Sequence, residues 1–340
     1  MRYAFFPGCS LESTAWDFAR STQAVCQALG IEVEEIPGWV CCGSTPAHGT
    51  SASLALALPV FNLQKARAMG RPVLTACASC YARLRTANHA VRHDPKEKQR
   101  AARITNQPYD GSVEVHHILD VLVNHLGLDA VRAAVKRRLS GLKVACYYGC
   151  LLTRPPEVVA FDDAEHPTAM DRLVAALGAE PIDWPYKTEC CGASLSMTHA
   201  DIVSRLSHRL VAMARCAGAA CIAVACPLCQ VNLDMRQADA RKNHGELPET
   251  PVFYITQLVG LALGLSPEQL GLNALSVRPD GLLEQLPMPV VSQQGMENCS
   301  CCCDAAAEEP RNRSRGTVPI FAAGGRENGT VPFGRAGGSR

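Results

Sequence analysis

Five cysteines recur twice in the same order. Cys9, Cys41, Cys42, Cys77 and Cys80 form the first set, and Cys150, Cys190, Cys191, Cys226 and Cys229 form the second. The last four of each set lie 149 residues apart, member by member, and the leading pair lies 141 apart. The second copy therefore carries eight extra residues before its vicinal pair. The surrounding text repeats as well: "YAFFPGCSLE" matches "VACYYGCLLT", "LTACASCY" matches "AVACPLCQ", and "VHHILDVL" matches "VFYITQLV". Such self-similarity constrains the architecture before any single residue is read, because each half must build the same unit.

The elements around the cysteines alternate. "YAFF" (3–6) reads as a buried strand, 12–29 as a helix, "IEVEEI" (31–36) as a strand, 51–69 as a helix, and "PVLTA" (72–76) as a strand. Cys77-Ala-Ser-Cys80 then opens the next helix. The second half repeats the order with strands in "LKVACYY" (142–148), "EPIDW" (180–184) and "CIAVA" (221–225), and helices near 168–177, 199–217 and 229–243. Strand–helix alternation implies a parallel sheet flanked by helices. Each repeated cysteine then falls just past a strand, where open parallel sheets bind their ligands. The fold class is α/β, in two pseudo-symmetric halves, 1–138 and 139–280. A Pro/Gly/Arg-rich tail, 281–340, is expected to be disordered beyond 305.

Composition excludes several classes. Eighteen cysteines in 340 residues do not mark a secreted disulfide scaffold, since the chain is long, 47% hydrophobic, and begins without an apolar leader. Clustered thiols in a cytoplasmic chain point to metal or redox chemistry. The apolar runs are too short to span a membrane. A net charge of +1 gives no general attraction to nucleic acid, although six Arg and one Glu follow residue 309. Neither G-x-G-x-x-G nor a P-loop is present, so electrons are expected from a protein partner rather than a bound nucleotide.

Five thiols exceed the four that a tetrahedral zinc or an ordinary cubane cluster takes. Successive side chains on a strand point to opposite faces. Gly43 and Gly192 allow the backbone to turn, so that both thiolates of a vicinal pair converge on one metal group. A bridging thiolate would open the usual cube. The plainer alternative is a zinc site with a spare thiol, in one half or in both.

The pattern of "FPGC", "CCG" and "CASC", then "YYGC", "CCG" and "CPLC", resembles the cysteine-rich CCG domains of the heterodisulfide reductase B subunit. The resemblance covers roughly residues 1–265. It implies two non-cubane [4Fe-4S] clusters, one held by Cys9, Cys41, Cys42, Cys77 and Cys80, the other by Cys150, Cys190, Cys191, Cys226 and Cys229. It implies an oxidoreductase subunit acting on sulfur groups, which reduces or forms a disulfide in a two-electron step between the clusters. The implied partners are a ferredoxin-like iron–sulfur C subunit and a flavin-containing A subunit. Related CCG proteins suggest the alternative: an electron-transfer subunit of a glycolate-, lactate- or fumarate-type oxidoreductase. Leu151 stands where methanogen-type members place His.

Other residues receive secondary roles. His48 and His199, shortly after the two CCG motifs, are candidate proton donors. Arg154 and Lys187 are candidates for attracting an anionic substrate. His116 and His117 fall in an apolar, helix-like run and read as structural. Cys26, Cys146, Cys216 and Cys221 read as small buried hydrophobes. The Cys299–Cys303 run has no structured context.

Overall fold

The computed structural model describes residues 1–286, the side chains of residues 45 and 46 excepted. The expectations for the tail and for Cys299–Cys303 lie outside the described residues. Two four-stranded, wholly parallel sheets lie within one compact unit. The first runs in the order β2-β1-β3-β4, with β1 Arg2–Phe5, β2 Glu32–Glu35, β3 Val73–Thr75 and β4 Val115–His117. The second repeats it as β6-β5-β7-β8, with β5 Lys143–Tyr147, β6 Glu180–Ile182, β7 Cys221–Val224 and β8 Val252–Tyr254.

Three strands per half follow the sequence expectation, and the fourth does not. His116 and His117 lie at the end of β4, not in a helix. Backbone pairing of Val73 to Val115, Leu74 to His116 and Thr75 to His117 decides the matter. Three residues are too few to show a period, so the neighbouring strand fixes the conformation. The expected helix begins at once after them.

The main helices are α1 Trp16–Ala28, α2 Ala52–Met69, α3 Ala78–His93, α4 Ala169–Ala176, α5 Ala200–Cys216, α6 Pro227–Asp234 and α7 Ile255–Ala262. Their ends obey local chemistry. Ser51 caps α2 by accepting a hydrogen bond from Leu54 N–H at 3.3 Å, and Gly70 stops it at φ 65°. Pro227 occupies the first turn of α6, where its missing N–H costs nothing. Among the described residues, no helix is long and apolar enough to cross a membrane.

The halves join through α1 and α7. Phe18 stacks on Tyr254 at 4.0 Å between ring centroids, an arrangement worth about 1 kcal/mol beyond burial. Ser21 Oγ and Thr256 Oγ1 share a hydrogen bond of 2.8 Å, and Gln257 Nε2 donates to Asp17 Oδ2 at 3.3 Å. Burial pushes the Asp17 carboxyl up to about 6. On the other side Arg85 donates to the Val158 and Val159 carbonyls at 3.0 and 3.1 Å.

Candidate iron–sulfur site

In each sheet the chain leaves β1 or β5 toward one edge and returns to build β3 or β7 on the other side. That reversal makes a crevice at the carboxyl ends of the two central strands. Cys9 follows β1 and Cys77 follows β3, so they flank the first crevice; Cys150 and Cys226 flank the second. Cys77 and Cys226 are the N-cap residues of α3 and α6, and Cys80 and Cys229 lie in the first turn of the same helices. The C-x-x-C spacing thus sets two thiols at the positive end of a helix dipole, where a thiolate is favoured.

The vicinal pairs arrive on loops after β2 and β6. Gly43 and Gly192 adopt φ 81° and 78°, a left-handed turn that glycine alone takes without strain. The turn sends each glycine N–H back toward the first thiol of its pair, at 3.4 Å from Cys41 Sγ and 3.3 Å from Cys190 Sγ. The second thiol points inward: Cys42 Sγ lies 3.3 Å from Cys80 Sγ, and Cys191 Sγ lies 3.7 Å from Cys229 Sγ. Cys41 and Cys9 are 3.9 Å apart.

The two sets also meet. Across the boundary between the halves, Cys226 is held low by hydrogen bonding from Cys229 and then from Cys77, while Cys77 is raised chiefly by Cys226. Hydrogen bonding likewise holds Cys41 low against Cys42 and Cys9, and Cys190 low against Cys150. All ten repeated cysteines therefore gather at adjoining strand ends. Cys26, Cys146 and Cys221 are fully buried elsewhere, with their thiols raised by burial, as the sequence implies; Cys216 is exposed.

A group of metal and sulfide fits these donors. Two thiolates on one tetrahedral centre with bonds of about 2.3 Å stand about 3.8 Å apart, close to the separations of 3.7 and 3.9 Å. The leading loops are also shaped for close approach. A Cβ on Gly8 would stand 2.8 Å from Cys80 Sγ, and one on Gly149 would stand 3.1 Å from Cys229 Sγ. Five soft donors in each half exceed what a single zinc holds.

His117 reads in the sequence only as structural, and its position is specific. Its buried Nε2 lies 2.8 Å from the Ala76 carbonyl and 3.0 Å from the Ala225 carbonyl, while Nδ1 accepts from Leu119 N–H at 3.1 Å. Ala76 and Ala225 are the residues just before Cys77 and Cys226, so one imidazole N–H ties both C-x-x-C turns together. A histidine beside an apolar run carries no sign of this in the sequence.

A cavity of about 770 Å³ reaches the second set, lined among others by Cys150, Cys190, Arg154 and Lys187. Both cations are partnered: Arg154 with Glu165 at 2.8 Å and Lys187 with Asp171 at 2.8 Å. His48 and His199 are exposed, His199 at the N-cap of α5.

A duplicated parallel α/β scaffold with five thiols at each set of strand ends defines a cysteine-rich redox protein. The cysteine-rich domain CCG matches residues 3–85 and 144–234. The chain is 35% identical over 272 residues to the membrane anchor subunit of the 8-methylmenaquinol:fumarate reductase of Wolinella succinogenes, covering 80% of this chain and 95% of that one. It is 33% identical over 287 residues to the B subunit of the ferredoxin:CoB-CoM heterodisulfide reductase of Methanosarcina mazei, covering 82% and 94%. A crystal structure of a hypothetical protein from Helicobacter pylori shares the fold with a TM-score of 0.68 at 13% identity, over 82% of this chain and 52% of that one. The chain belongs to the CCG cysteine-rich family, among the iron–sulfur oxidoreductase proteins related to the heterodisulfide reductase B subunit.

Proposed function

We propose that this chain is the catalytic subunit of a heterodisulfide reductase-like complex in the cytoplasm, acting on a disulfide of two small thiols. The halves 1–138 and 139–280 act as two domains, each holding one non-cubane [4Fe-4S] cluster through its five repeated cysteines. The observation that carries this reading is His117, whose Nε2 lies 2.8 Å from the Ala76 carbonyl and 3.0 Å from the Ala225 carbonyl and so holds the two C-x-x-C turns, and with them the two thiol cages, side by side. When bound, the clusters supply one electron each, the two that cleaving RS–SR′ to two thiols consumes along with two protons. The chain's own residues do the rest. The second cage admits the substrate through the 770 Å³ cavity, where Arg154 and Lys187 orient an anionic end. His48 and His199 deliver protons from the exposed rims of the two CCG loops. Electrons enter from a ferredoxin-like iron–sulfur C subunit fed by a flavin-containing A subunit.

The relative from a fumarate reductase favours a second reading, in which the chain relays electrons for an organic-acid or quinone-linked oxidoreductase. One experiment tests both. Full-length protein purified without oxygen should hold about eight irons in two four-iron clusters, and a mixed disulfide of small thiols should alter its cluster spectrum. Iron without a response to disulfide supports the relay. Zinc in place of iron overturns both readings.

A further inference from the structure

A second constellation lies outside the thiol cages, on β4 and the helical segment that follows. His116 and His117 project to opposite faces of the strand. Asp120 ends the turn Ile118–Asp120, and His125 ends a π-helical turn, Val121–His125. In an α-helix, residues five apart diverge by about 140°. The π turn, closed by Leu126 N–H donating to the Val121 carbonyl at 2.8 Å, absorbs the extra residue and brings His125 back over Asp120. Such turns are rare and recur at functional sites.

The donor atoms are spaced for one ion. Asp120 Oδ2 stands 3.0 Å from His116 Nδ1 and 3.5 Å from His125 Nε2, and the three donors all lie within 4.8 Å of one another. Ligands at about 2.1 Å from a metal are separated by about 3.0 Å in an octahedron and about 3.4 Å in a tetrahedron. The remaining polar atoms of two of these side chains are supported from behind. Asp120 Oδ1 accepts from Asn124 Nδ2 at 2.7 Å, and His116 Nε2 faces Glu114 Oε2 at 3.4 Å. A carboxylate behind an imidazole is the usual outer support of a metal-bound histidine. The His116 and Asp120 side chains are only 12% exposed, whereas His125 is 36% exposed. His116 and His125 also line a separate cavity of about 520 Å³, together with Arg85, His89 and Arg92.

We propose that His116, Asp120 and His125 form a mononuclear site for a divalent transition ion of the zinc type. Two imidazoles and one carboxylate leave at least one coordination position for water or a small anion. His116 and His125 both line the 520 Å³ cavity, through which such a ligand would reach the ion. The ion would also fix the end of β4, the strand that carries His117. The site goes beyond the disulfide reaction and uses none of its cysteines.

The test uses full-length, cluster-loaded protein titrated with Zn²⁺ against a chromophoric chelator, with zinc and iron counted per chain. The expected result is about one zinc beyond the iron complement, with a zinc absorption edge showing nitrogen and oxygen ligands and no sulfur. His125→Gln should weaken binding at least about tenfold while iron content stays unchanged. Failure to bind zinc, sulfur ligation, or equal affinity in His125→Gln overturns the proposal and leaves His116 as a hydrogen-bonding bridge between Asp120 and Glu114. The absorption edge of the wild type decides the matter even if the variant misfolds. Protein without iron that still binds zinc through nitrogen and oxygen would sink the cluster reading and spare this one.

Discussion

The two thiol cages share a scaffold and differ in what surrounds it. In the first half, the CCG loop is bolted to the C-x-x-C helix by a hydrogen bond of 2.8 Å between Ser44 Oγ and Ser79 Oγ. In the second, the bolt is Asn232. Its Nδ2 donates to the Cys191 carbonyl at 3.1 Å and approaches Cys191 Sγ at 3.6 Å, and its Oδ1 accepts from Ser196 Oγ at 2.9 Å. Phe6 of the first half packs edge-on against Trp39, while its counterpart Tyr147 donates its hydroxyl to the Glu189 carbonyl at 2.6 Å. Cys150 and Cys190 line the 770 Å³ cavity. Strand topology and left-handed glycines are kept in both copies because they place sulfur. The side chains that join loop to helix are free to diverge, and through them the second cage acquires an amide directed at its sulfur.

The largest effect should come from dividing the cages. Cys41→Ser and Cys190→Ser each remove one member of a vicinal pair, and each should lower iron from about eight to about four per chain. The spectrum of the surviving cluster should differ between the two variants. If either variant kept full iron, five thiols per half would not be the rule.

His117 offers the opposite test, because its single N–H serves both C-x-x-C turns. His117→Ala leaves two buried carbonyls short of a donor and opens a cavity, at a cost of about 3 kcal/mol. Unfolding by urea should show that loss, and both clusters should be disturbed together. His117→Gln, which retains a donor, should recover part of it. Disturbance of one cluster alone would mean that the two loops are not coupled through this residue.

The sequence made the cages legible because the spacing of the last four cysteines of each set survives duplication unchanged: their constant shift of 149 needs no structure to be seen. It also made six of the eight strands legible, since each is an apolar or alternating run ending at Pro, Gly or Cys. It hid β4 and β8, although the match of "VHHILDVL" to "VFYITQLV" marked them as equivalent, because a three-residue strand is specified by its neighbour's backbone. The closeness of the two C-x-x-C turns, both bonded to His117, was implied by the family resemblance and by nothing local, since neither segment encodes the other. Asn232 reads in sequence as one more polar residue on a helix, and its partners come from a loop about forty residues earlier.

Asn232 gives the smallest expected effect and the one most specific to the second cage. An N–H directed at a ligand sulfur withdraws electron density from it and makes a bound cluster easier to reduce. Asn232→Ala removes that donor and leaves the Cys191 carbonyl to find another. Iron content should stay near the wild-type value. Redox titration followed by electron paramagnetic resonance should show the potential of one cluster falling while the other stays fixed. The fixed signal should be the one that survives in Cys190→Ser, and the shifted signal the one that survives in Cys41→Ser. A potential change in both clusters would mean that the cages communicate through more than His117 and the Cys77–Cys226 contact, and the asymmetry drawn from Asn232 would then belong to the pair as a whole.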